Sequence, residues 1–107
     1  MSPKTQEILN TLKNSLQALY GERLKDIYLF GSYARGEANP LTSDIDVLVV
    51  LNEEFNYWDE LKRTSALIAE LSLQYDVVIS RKFSSAAEYE NSKMPLYINI
   101  RAEGVAV

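Results

Sequence analysis

The run Ile45-Asp46-Val47-Leu48-Val49-Val50-Leu51 is the most apolar stretch of the chain and is flanked by polar residues. It predicts a central strand over 45–51, of the kind covered on both faces. Two aspartates interrupt that picture, Asp44 just ahead of the run and Asp46 inside it. Strand side chains alternate, so the two share one face, about 6.6 Å apart along the backbone. At an effective dielectric of about 20, two such charges repel by roughly 2.5 kcal/mol. Hard divalent cations such as Mg²⁺ or Mn²⁺ between them reverse the sign. The alternative is that Ser43-Asp44 closes a loop and Asp46 alone sits oddly at the strand start. The strongly apolar Val47–Val50 that follows weighs toward function.

Around this strand the other elements fall into order. Ser2-Pro3 reads as an N-cap with proline in the first turn, and Ile8, Leu9, Leu12, Leu16, Leu19 and Tyr20 then share a helical face ended by Gly21. Asp26 to Phe30 predicts a strand, Gly31 to Gly36 a turn, and Glu37 to Ser43, with Pro40, a loop. Phe55 to Leu73 has helical spacing, with Trp58, Phe55 and Leu61 read as core packing. Tyr75 to Ser80 predicts a third strand, Ser84–Asn91 and Pro95–Glu103 two short helices, and Val105–Val107 an edge strand. The expectation is an α/β (α+β) fold, a mixed sheet of about four strands flanked by helices. Residues 1–107 contain no internal repeat or linker and read as one domain.

Composition narrows the chemistry. Eleven Lys and Arg against fifteen Asp and Glu leave a net charge of −4, with the cations scattered. No basic stripe tracks a nucleic-acid backbone, so direct nucleic-acid binding is not expected. Cysteine is absent, which removes disulfides and thiol chemistry and suits a cytoplasmic protein. Histidine is absent too, which removes the commonest general base. No stretch approaches the ~20 apolar residues of a membrane span, and no membrane association is expected.

The turn that leaves the first strand reads Phe30-Gly31-Ser32-Tyr33-Ala34-Arg35-Gly36. Gly31 lets backbone pass close to a ligand, Ser32 adds a hydroxyl, and Arg35 is a cation able to neutralise a phosphate oxygen. A helical turn beginning there would point its amides at phosphates. Gly31 and Gly36 imitate the start of a P-loop, but Glu37 stands where that motif needs lysine, and the dinucleotide glycine pattern also fails. Asp76, ahead of Val77-Val78-Ile79, is the candidate third acid and the best available general base for an acceptor hydroxyl. Its alternative is a residue that simply breaks the helix and starts the strand.

Gly31-Ser32, then Asp44-x-Asp46 with eleven residues between Ser32 and Asp44, then Asp76 resembles the polymerase-β nucleotidyltransferase superfamily. The form Ala34-Arg35-Gly36 and the trailing Ile100-Arg101-Ala102-Glu103-Gly104-Val105 look most like its minimal members, the MNT domains. The resemblance implies transfer of AMP from ATP with release of pyrophosphate, aided by two Mg²⁺ ions. It implies that Gly31 and Ser32 hold phosphates, that Asp44 and Asp46 bind both metals, and that Asp76 completes the metal site and activates the acceptor. Similar proteins are antitoxins that adenylylate a tyrosine of a HEPN-domain toxin, so a toxin partner is expected, as part of a homo-oligomer or hetero-complex. Two other readings stay open: a transferase acting on a small hydroxylated molecule, and a binding partner that neutralises without catalysis. Tyr33 lies inside the motif and packs either beside the nucleotide or in the core. Arg81 and Lys82, just past the expected third strand, either face phosphates or a partner or form a solvated strand end, the second being the safer reading.

Overall fold

The computed structural model describes residues 1–107. Helix α1 (Pro3–Tyr20) starts where its cap predicts: the Ser2 hydroxyl accepts from the Thr5 amide, and Gly21 stops the helix at φ 56°. Its buried stripe is Thr5, Ile8, Leu9, Leu12, Leu16 and Tyr20; Leu19, expected on that face, is exposed. After a 3₁₀ turn at Gly21–Arg23 come β1 (Leu24–Phe30), β2 (Ile45–Leu51), α2 (Tyr57–Tyr75), β3 (Ile79–Ser85), α3 (Ala86–Asn91), α4 (Pro95–Glu103) and β4 (Val105–Ala106).

The four strands form one mixed sheet in the order β3-β2-β1-β4. β1 runs antiparallel to β2 and β4, and β2 runs parallel to β3. The predicted architecture is therefore present, and β2 spans the predicted residues. Ile27 and Leu29 of β1, Ile45, Val47, Val49 and Leu51 of β2, and Ile79 and Phe83 of β3 pack under α1 and α2. On the other face Leu48 and Val50 are sealed by Tyr97 and Ile100 of α4. Alternate residues of one strand thus serve two cores, which is why its apolar run has no polar side except at Asp46.

The structure corrects the third strand. Residues 75–80 are not its span: α2 continues to Tyr75, and Asp76 caps it in the left-handed conformation (φ 52°, ψ 52°), its amide donating to the Ser72 carbonyl. β3 then begins at Ile79 and runs through Arg81, Lys82, Ser84 and Ser85, whose polar side chains masked it. Full parallel pairing with β2, from Ile45–Ile79 to Leu51–Ser85, overrides their weak strand propensity. Ser85 then caps α3 through the Glu88 amide, so that helix starts later than expected. β1 begins two residues earlier than predicted, with a register shift between Leu24 and Asp26.

Trp58 is not core. It is 64% exposed, with the Lys62 ammonium 5.9 Å from its ring centroid. The buried stripe of α2 is Glu60, Thr64, Ile68 and Leu71. Position 58 lies about 200° around the wheel from position 60, away from the sheet. Phe55 does pack as expected, edge-on to Phe83 at 6.3 Å.

Candidate active site

Phe30 and Asp46 are Cα partners in the β1–β2 ladder, so the turn that follows Phe30 stands directly beside the Asp46 carboxylate. Gly31 has φ +74°, and a Cβ built on it would lie 2.6 Å from Asp46 Oδ2. Only glycine fits that backbone and that approach. The turn closes on itself as the Arg35 amide donates to the Gly31 carbonyl (3.2 Å) and the Glu37 amide to the Ser32 carbonyl (2.9 Å). Arg35 Nε donates to Glu37 Oε2 at 3.0 Å, which moors the guanidinium at the turn. Tyr33 packs against the larger core, the structural of its two readings.

Asp46 is half-buried and Asp44 exposed, since Asp44 precedes the first residue of β2. Burial pushes the Asp46 carboxyl above its ordinary range, the Asp44 charge pushes it further, and Lys82 opposes both. A neighbouring cation favours the charged form of such an acid. Two hard carboxylates suit Mg²⁺, which keeps water and substrate phosphate as its other ligands. The donor set therefore fits the ion.

The third acid does not join them. Asp76 sits on the α2 cap rather than on a strand, and no three acidic, histidine or cysteine side chains come close enough together to hold a metal. Asp76 does share a cleft of about 180 Å³ with Asp44, lined also by Leu41, Thr42, Ser43 and Val78. On the other side of the turn, Phe30, Gly31, Arg35, Leu96, Asn99, Ile100 and Glu103 line a second cleft of about 190 Å³.

Lys82 is the residue that sequence reasoning undervalued. It lies inside β3, two positions after Ser80, the register partner of Asp46, and so on the same sheet face. Extending the third strand past Ser80 would have revealed it by parity. Its neighbour Arg81 points the other way and is structural: its Nε donates to Thr64 Oγ1 and its Nη2 to the Leu61 carbonyl, both at 2.8 Å.

Comparisons with known proteins agree with this geometry. A Methanocaldococcus jannaschii protein, named provisionally as a protein adenylyltransferase, is 36% identical over 101 residues, covering 92% of this chain and 93% of its own. A Sulfolobus solfataricus crystal structure, named provisionally as a nucleotidyltransferase, superposes with TM-score 0.62 at 23% identity, over 96% of this chain and 81% of that one. A toxin–antitoxin structure with AMP-PNP also superposes with TM-score 0.62, at 22% identity over 91% of this chain and 69% of that one. The family description "Nucleotidyltransferase domain" matches residues 9–103, which span the turn, both aspartates of the pair and α4. The chain belongs to the nucleotidyltransferase domain family.

Proposed function

We propose that the protein adenylylates a partner protein, moving AMP from ATP onto a tyrosine hydroxyl of a HEPN-domain toxin with the help of Mg²⁺, and so acts as an antitoxin. The observation that carries this reading is the contact between Gly31 and Asp46, which joins the phosphate turn to the acids within the reach of one nucleotide. A relative named as a protein adenylyltransferase and a neighbouring fold named as a toxin–antitoxin structure with AMP-PNP support the choice of donor and of acceptor.

In this reading the Gly31 backbone, the Ser32 hydroxyl and Arg35 hold the β- and γ-phosphates. Asp44 and Asp46 would hold Mg²⁺, which when bound would neutralise the triphosphate and offset the charge developing on the departing pyrophosphate. Asp76, across the cleft it shares with Asp44, takes the proton of the incoming hydroxyl. The acceptor oxygen bonds to the α-phosphorus as the bond to pyrophosphate breaks.

Incubation with Mg²⁺, α-labelled ATP and a HEPN protein encoded beside this chain should place label on the HEPN protein, and Asp44→Asn should abolish the transfer. Absence of label with the unmodified protein would sink the reading. An Asp44→Asn variant that still binds and neutralises the toxin would make it a binding module instead.

A further inference from the structure

We infer that the groove between helices α1 and α2 is an interface with a second copy of this chain, in which the two α2 helices pack antiparallel across a two-fold axis. The inference does not depend on the adenylyl transfer proposed above. α1 and α2 pack against each other over the larger core, and their outward faces leave an open groove of about 500 Å³. Leu19 and Leu67 line it beside Ala18 and Ala66, and along α2 this apolar middle is bracketed by Arg63 and Glu70. Packing within one chain leaves this surface uncovered. Leu19 has the spacing of the buried stripe of α1 yet is 42% exposed, and Leu67 is only half-buried.

The order of residues along α2 says what covers the groove. An interface between identical chains about a two-fold axis must complement itself, because each contact is made twice with the roles exchanged. Arg63 and Glu70 are seven residues apart, about two helical turns, and so share a face of α2. Their midpoint falls between Ala66 and Leu67. When α2 packs antiparallel on the α2 of a second copy about that midpoint, Arg63 of each chain meets Glu70 of the other. Leu67 then meets Ala66 of the other copy. A large side chain against a small one lets the helices close to the usual separation of about 8–10 Å.

Both charges are available for this pairing. Arg63 spends its Nε on Glu60 at 3.0 Å, and its terminal nitrogens make no bond within the chain. Glu70 is exposed and forms no salt bridge. Such rim charges set orientation more than affinity, while the apolar middle supplies the burial. A groove shaped for a foreign helix has no need of opposite charges spaced equally about its centre. The arrangement also leaves the functional ends free. Asp76 ends α2, so the two Asp76 caps fall on opposite sides of the axis, roughly 28 Å apart along the helices. Both Asp44–Asp76 clefts stay open, and the dimer presents two sites at once.

Sedimentation equilibrium of the full chain across the micromolar range tests this. The unmodified protein should pass from monomer to dimer as its concentration rises. Glu70→Arg sets Arg63 against a second arginine and should raise the dissociation constant at least about tenfold. Ala66→Glu brings two like charges beside the axis and should do the same. Its urea midpoint, read where the unmodified protein is monomeric, should stay unchanged because Ala66 is exposed. Arg63→Glu should also be monomeric alone, and an equimolar mixture with Glu70→Arg should dimerise, since each charge then faces its opposite again. If Arg63→Glu does not fold, having lost its bond to Glu60, then Glu70→Arg and Ala66→Glu decide the matter. A monomer at every concentration would overturn the interface and leave the groove to a different protein. A dimer that neither Glu70→Arg nor Ala66→Glu weakens would overturn it too, by placing the contact on another face.

Discussion

At the scale of single residues, Gly31 carries more of the site than its missing side chain suggests. Its positive φ and the 2.6 Å that a Cβ would leave to Asp46 Oδ2 are separate constraints on one position. Gly31→Ala should cost about 1–2 kcal/mol from the left-handed backbone alone. The methyl must also push away either the turn or the carboxylate, so nucleotide affinity should fall further than stability does. Comparing the urea midpoint with Mg²⁺-dependent ATP binding in the variant checks this; an affinity loss no larger than the stability loss contradicts it. Asp46 shows the same tension electrostatically. Burial and Asp44 raise its carboxyl, and Lys82 on the neighbouring strand relieves part of that cost.

At the scale of elements, the packing of α2 depends on a buried charge. Glu60 is 2% exposed and accepts from the Tyr20 hydroxyl at 2.8 Å and from Arg63 Nε at 3.0 Å, with Arg23 Nη2 at 3.6 Å. Burial alone would raise its carboxyl, but the hydrogen bonds from Arg63 and Tyr20 outweigh it and hold the group below the ordinary range. The network ties the end of α1 and the 3₁₀ turn to the first turns of α2. A carboxyl depressed in the folded state stabilises fully above its unfolded value, near about 4.3, and the gain is lost as pH falls through the lower folded value. Glu60→Gln should therefore cost about 1–3 kcal/mol at neutral pH, less than a fully buried pair would, because the Arg23 and Arg63 side chains remain 35% and 44% exposed. The same variant should flatten the decline of stability between about pH 5 and pH 3. Thermal unfolding of both proteins across that range measures it; parallel curves would show that Glu60 contributes nothing through its charge.

At the scale of the whole molecule, the sheet separates two cores of unequal size. The one under α1 and α2 contains fifteen buried residues and the one under α4 contains four. Ile100→Ala should remove about 2–4 kcal/mol from the smaller core. Its effect should concentrate in residues 95–103, where amide exchange quickens well before the α1 amides respond. Uniform acceleration across both faces would mean that the two cores unfold as one unit. Much of this architecture was legible beforehand. The cap at Ser2, the stop at Gly21, the apolar β2 and the Gly31-Ser32 turn are local signals, each set by neighbouring residues and so written in the chain. β3 was not, because Arg81, Lys82, Ser84 and Ser85 become a strand only through pairing with β2, and Asp76 becomes a helix cap only because α2 runs on to Tyr75. Trp58 lay on the wrong side of its helix for the same reason: periodicity defines a stripe, but only packing decides which stripe faces the sheet. By itself the sequence determined α1 with its caps, β2, the turn and the aspartate pair, since these depend on contacts a few residues apart. Tertiary structure alone decided that Lys82 lies on the same sheet face as Asp46, that Asp76 caps α2 and meets Asp44 only across a cleft, and that α4 closes a cleft beside Gly31. Those relations join segments tens of residues apart, and only the folded sheet sets the distances between them.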